Sequence, residues 1–238
     1  MIIRYFPFIL LLLYINGYGN STSNGTLSNP AESVEKDSIG KQILFNGRLW
    51  KNQFASIEGH QYLFTPYSIT GAVTIDNRMF KNVLLRYDIA NDELLIQKDA
   101  YRIIRTNPEF ISSFDIFYND EHLHFVNLDN IPTEKLKGYY HLFYDSDIKI
   151  YVRYSKEIQS PSMTNGLPKF IQHTAVYILK NGEYFKVKNL RNLLSILGNE
   201  EEQKLIKKFI RIGNIKVTIK DPSSIKRVVE YYEKIVSQ

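Results

Sequence analysis

Ala175-Val176-Tyr177-Ile178-Leu179-Lys180-Asn181-Gly182-Glu183-Tyr184-Phe185-Lys186-Val187-Lys188 is the stretch that decides the fold class. Two runs rich in β-branched and aromatic residues flank Asn-Gly, the dipeptide most compatible with a two-residue type I′ turn. The segment therefore reads as an antiparallel hairpin. The same grammar recurs toward the N-terminus. Gly71 to Ile75 passes through Asp76-Asn77 into Met79 to Tyr87, and Asn91-Asp92 leads into Glu93 to Gln97. Phe110 to Tyr118 turns at Asn119-Asp120 into His122 to Leu128, and Tyr139 to Tyr144 turns at Asp145-Ser146-Asp147 into Ile148 to Tyr154. Gln61 to Phe64 reads as a further strand. Along Ile148 to Tyr154, residues Ile148, Ile150, Val152 and Tyr154 share one face and Lys149, Tyr151 and Arg153 the other, which predicts one buried and one wet face.

Beyond Lys188 the hydrophobic period changes. Asn189 caps a helix over Leu190 to Leu197 that stops at Gly198, and Glu200 to Ile212 sets Leu205, Ile206, Phe209 and Ile212 at helical spacing. Lys204, Lys207, Lys208 and Arg211 fall outside that stripe, and Glu200, Glu201 and Glu202 occupy the first turn, where the helix dipole favours them. Asp221-Pro222 opens a last helix to about Val236, with Ile215 to Ile219 as a short strand before it. The fold class is α+β, mostly β: an antiparallel meander or sheet assembly over residues 42–188, followed by a small helical segment over 189–238 packed on it.

The N-terminus reads as an export signal. Arg4 supplies a positive start, Phe6 to Ile15 is apolar apart from Tyr14, and Gly17-Tyr18-Gly19 places small residues where a signal peptidase reads, so residues 1–19 are expected to be cleaved. Residues 20–41, rich in Ser, Asn, Thr, Gly and Glu, read as a disordered tether carrying sequons at Asn20 and Asn24. The chain has no cysteine, which removes a lipoprotein anchor, disulfides, thiol nucleophiles and Cys-ligated metals. After the signal there is no apolar run long enough for a spanning helix. The formal charge of +5 is dispersed rather than clustered, so nucleic acid is not an expected partner.

Candidate chemistry is sparse. His122-Leu123-His124 puts two imidazoles on one face of a strand, and His141 on a nearby strand is the candidate third ligand of a metal site; the solvent-facing pair is the preferred reading, and neither metal nor cofactor is expected. Glu58-Gly59-His60 offers a carboxylate and an imidazole beside a turn glycine. Asp88, Asp92 and Glu93 form one acidic group and Asp145 with Asp147 another, read as turn formers before calcium ligands. The chain has 17 Tyr, 14 Phe and one Trp, residues that stack on sugar rings or anchor interfaces as readily as they pair across strands. At Tyr139-Tyr140, adjacent positions face opposite sides, so at most one is expected wholly in the core. No nucleophile elbow is present, and catalytic residues stay unassigned.

Phe45-Asn46-Gly47, Trp50, Gly59-His60-Gln61-Tyr62-Leu63, Gly71-Ala72-Val73, Phe80 to Asp88 and Asp92-Glu93-Leu94 together resemble a family of uncharacterised secreted proteins from Bacteroidetes. Leu179 to Phe185 and Val228-Val229-Glu230-Tyr231-Tyr232 extend the resemblance over most of the chain. It implies a diderm bacterial host and the periplasm, outer-membrane surface or medium as destination. Its motifs are turn and strand phrases, so it transfers no activity. The expectation is an exported, envelope-associated binding or structural protein, non-catalytic, recognising a protein or glycan. The alternative is a secreted hydrolase acting on an extracellular polymer such as a glycan through paired Asp/Glu residues.

Overall fold

The two-residue turns fix the sheet. Asp76-Asn77, Asn119-Asp120 and Asn181-Gly182 all have positive φ at both positions, the signature of type I′ hairpins. The computed structural model describes residues 38–130, 136–161 and 166–237. Its strands are β1 (Gly47–Leu49), β2 (Ile69–Ile75), β3 (Arg78–Asp88), β4 (Glu93–Gln97), β5 (Ile103–Thr106), β6 (Ile111–Tyr118), β7 (Glu121–Asn127), β8 (Tyr139–Tyr144), β9 (Lys149–Gln159), β10 (Lys169–Lys180) and β11 (Glu183–Val187). They form one antiparallel sheet in the order β1-β5-β4-β3-β2-β6-β7-β8-β9-β10-β11. The mostly β, antiparallel class with a helical C-terminal segment is the observed one.

The sheet departs from a simple meander at two places: β1 pairs with β5 rather than β2, and β2 pairs with β6. The chain leaves β5 and returns beside β2 as β6, with Asp76 N donating to Phe110 O at 3.0 Å. A bulge between Gly71 and Ala72 is accommodated opposite Asn82, which takes φ 55°. The strip β2 to β7 wraps a first core of Leu85, Tyr87, Leu94, Ile96, Phe114 and Phe125, in which the Phe114 and Phe125 rings stack at 4.7 Å. The sheet coils far enough for the turn after β3 to meet β9: Lys156 N donates to Ile89 O at 3.1 Å.

Helices α2 (Leu190–Leu197), α3 (Glu200–Ile212) and α4 (Pro222–Val236) cover β9 to β11 and close a second core around Ile150, Val152, Val176 and Ile178. Each start is capped as its sequence suggests: Asn189 accepts from Asn192 N, Asn199 and Glu202 form a capping box, and Asp221 accepts from Ser223 N. Lys180 Nζ reaches the C-terminal end of α2, donating to the Ile196 and Leu197 carbonyls, and bonds the Tyr232 hydroxyl at 3.0 Å. Glu233 on α4 accepts from the Tyr144 hydroxyl at 2.7 Å and from Ile148 N at 2.9 Å. These bonds pin the last helix to the β8–β9 turn.

The structure corrects several expectations. Both faces of the sheet are covered near β8 and β9: Tyr151, assigned to the wet face, is buried with Leu128, Leu136 and Tyr140 in a third cluster. For the same reason Tyr139 and Tyr140 are both buried, one on each face. Residues 38–41, assigned to the tether, belong instead to a helix α1 over 38–44; the signal peptide and residues 20–37 lie outside the described residues. Ile215 to Ile219 is a turn with a single bridge, Thr218 to Asp221, rather than a strand, and residues 61–64 meet β3 only through a bridge between Tyr62 and Asp88. On α3, Leu205 and Ile212 are exposed at 47% and 72%, because the buried stripe is only as wide as Ile206, Phe209 and Ile210.

Candidate functional site

The three histidines do not converge. The register pairs Asp115 with His124 and Phe125 with His141, so His141 lies on the core face with Phe125 while His122 and His124 lie on the opposite one. Asp115 Oδ1 is 2.7 Å from His122 Nε2 and 2.8 Å from His124 Nδ1. An ionised carboxylate only accepts, so both facing nitrogens carry protons toward it rather than lone pairs toward a cation. Phe117 stacks on the His122 ring at 4.9 Å. Among the described residues no group of three or more His, Asp or Glu is arranged to hold a metal ion. His141 is packed against Phe125, Phe143 and Tyr154. Its pKa is pushed down to about 4, by burial first and then by the two histidines across the sheet.

Glu58 and His60 are also kept apart. Glu58 bridges to the start of β10 and lines a depression with Gln159 and Lys169 that His60 does not share. His60 instead stacks on Tyr62, its Nδ1 buried without a hydrogen-bond partner, and burial lowers its pKa. Lys156 Nζ bonds the His60 and Tyr62 carbonyls at 2.8 and 2.6 Å, tying this segment to β9.

A cleft forms where β1, β4 and β5 meet the β3–β4 turn. Asp88, fully buried, holds that turn: its carboxylate accepts from Ala90 N, Asn91 N and Asn91 Nδ2 at 3.0–3.1 Å. Burial raises the Asp88 pKa against those three bonds. Two cavities of about 370 and 490 Å³ share Asn91, Glu93 and Arg105 as a common wall. The smaller is lined by the only tryptophan, Trp50, with Phe54, Gln61 and Lys51; the larger by Arg48, Asp92, Asn107 and Tyr139. Trp50 is placed by its own backbone, whose N–H extends the β1–β5 ladder to Ile103 O at 2.8 Å, and by its ring, 6.2 Å from that of Tyr62. Phe54 meets Phe170 of β10 edge-on at 5.4 Å.

The two carboxylates of the cleft are already engaged. Glu93 pairs with Arg105 at 3.0 Å. Asp92 pairs with Arg153 at 2.8 Å and accepts from the buried Tyr87 hydroxyl at 2.6 Å. Arg153 also donates to Tyr139 O at 2.8 Å and lies over the Tyr140 ring at 5.1 Å. Gly138, at φ 82°, makes room for this pair, since a Cβ there would strike the Asp92 carboxylate and the Arg153 guanidinium. Tyr139 is 1% exposed, and its phenol oxygen is buried without a hydrogen-bond partner. Burial, reinforced by the nearby Asp92 and Asp129, pushes its pKa far up, so the phenol stays protonated and is a donor.

Of Asp88, Asp92 and Glu93, read as turn formers, Asp88 and Asp92 sit at the β3–β4 turn and Glu93 begins β4; Asp92 and Glu93 line the cleft. Sequence reasoning did not find their partners: Arg105 lies on β5, too short to register as a pattern, and the contacts of Arg153 and Tyr139 depend on how β8 and β9, themselves legible, come to lie against the β3–β4 turn. The single Trp50 next to Gly47-Arg48-Leu49 was the available signal. No family model matches the chain, and no curated protein or solved structure is found similar to it.

Proposed function

We propose that the chain is an exported, envelope-associated, non-catalytic binding protein that takes a saccharide in the cleft beside β1 and β5. The observation that carries this reading is the lining of the cleft. Trp50 and Phe54 bring aromatic rings to the lining, and Asn107 brings an amide that donates to and accepts from hydroxyls, beside the Asn91 amide whose Nδ2 is held by Asp88. The lining is mostly polar with aromatic rings set into it, which suits a ligand rich in hydroxyls, and the cavities are of ordinary size for small-ligand sites. The N-terminal export signal and the resemblance to secreted Bacteroidetes proteins support an extracytoplasmic address.

The hydrolase reading needs two carboxyl groups facing each other across the bond to be cut, at roughly 5 or 6.5–9.5 Å, one of them free to give a proton. Asp92 and Glu93 are consecutive, and each is held by a guanidinium. That arrangement favours recognition over cleavage.

Because Trp50 is the only tryptophan, its emission reports on the cleft alone. A glycan array followed by fluorescence titration is expected to find saccharides that shift Trp50 emission, and Trp50→Ala is expected to weaken them by at least about tenfold, as removal of a buried aromatic anchor does. A panel that leaves the emission unchanged, or binding indifferent to Trp50→Ala, defeats the assignment.

A further inference from the structure

Once its internal pairs are set aside, the cleft keeps an excess of positive charge. Asp92 is neutralised by Arg153 and Glu93 by Arg105. Arg48 lines the larger cavity and Lys51 the smaller, and among the described residues neither lies within ion-pair distance of a carboxylate. The two cations stand three positions apart, on β1 and the segment it leads into, one on each side of the wall formed by Asn91, Glu93 and Arg105. Tyr139 lines the larger cavity, while its phenol oxygen lies buried.

We infer that the cleft selects an anionic saccharide of at least two units, carrying carboxylate or sulfate groups, with Arg48 and Lys51 as its charge-reading residues. Two units follow from two cavities of sugar-holding size divided by one wall. Negative charge follows from the pair of uncompensated cations and from the absence of a free carboxylate in the lining. The guanidinium of Arg48 suits a planar carboxylate or a sulfate through paired donors, while Lys51 acts as a point charge. Because both cations are exposed, their contribution is screened by salt and acts largely on selectivity.

This inference rests on the saccharide reading of the cleft, and calorimetry with three defined probes separates the two. Digalacturonate carries the carboxylate, lactose 6′-sulfate the sulfate, and lactose neither. The expected result is that at least one anionic probe binds about tenfold or more tightly than lactose at low ionic strength. That margin is expected to collapse at 0.5 M NaCl and in the doubly substituted R48Q/K51Q protein, whose thermal midpoint reports that it is folded. Which anionic probe gains identifies the group read. Lactose binding as tightly as both anionic probes overturns the inference and leaves the saccharide reading standing. A margin that survives the double substitution overturns the roles of Arg48 and Lys51. Silence from all three probes, with silence of the wider glycan panel, removes both the inference and the reading beneath it.

Discussion

At the scale of single residues, two buried polar groups carry the clearest consequences. His141 is 8% exposed among aromatic rings, and its pKa is pushed down to about 4. A histidine depressed in the folded state binds fewer protons there than in the unfolded chain between pH 6.5 and 4, so its contribution to stability is full above pH 6.5 and is lost as pH falls through that window. The full contribution is roughly 3 kcal/mol. In urea unfolding at pH 7 and pH 4.5, His141→Gln is expected to show a smaller acid-induced drop in midpoint than the parent; equal drops in both proteins dispose of this account. Tyr139 presents the opposite balance, a hydroxyl that the fold leaves without a partner. Tyr139→Phe removes the desolvated oxygen at nearly constant shape, so the thermal midpoint is expected to stay level or rise. A clearly lower midpoint contradicts the unpaired state of the phenol.

Among elements, α3 separates what periodicity reveals from what it hides. Leu205, Ile206, Phe209 and Ile212 satisfy helical spacing equally well, yet only Ile206 is fully buried while Leu205 and Ile212 stay exposed. Spacing defines a stripe; the width of the surface opposite decides how much of it is covered, and that surface is built by α2 and α4, with Phe209 stacked on Tyr231 of α4 at 4.1 Å. Ile206→Ala is therefore expected to cost about 2–5 kcal/mol in denaturant unfolding, and Leu205→Lys no more than about 0.5 kcal/mol. Equal losses refute the packing described. Turns were more legible. Every non-glycine residue with positive φ among the described residues is Asp or Asn, and the hairpins at Asp76-Asn77, Asn119-Asp120 and Asn181-Gly182 fall where those residues sit. Helix caps at Asn189 and Asp221 were readable for a similar reason, since the capping side chain acts on its immediate neighbours; the Asn199 cap of α3 follows the same rule but was not singled out. The three-residue β1 and four-residue β5 were not, because they are too short to show a period and depend on partners far along the chain. The cleft they build was hidden with them, and so was the second covered face that buries Tyr151.

Across the whole described molecule the two main cores draw on different stretches of chain. The first is made of residues from β2 to β8 with Leu63 before them, and Tyr154 of β9 packs at its border. The second needs β9 to β11 together with all of α2 to α4. Its latch is Glu233, which bonds Ile148 N across 85 positions and the Tyr144 hydroxyl across 89. Contacts so distant in sequence form late, since each must first overcome the entropy of closing a long loop. A chain emerging N-terminus first, from a ribosome or a translocation channel, can wrap the first core while Ile150, Val152, Val176 and Ile178 still lack their helices. During that interval it shows a bare apolar sheet face to its surroundings. The last helix, and Glu233 with it, therefore has to be made before that face is covered.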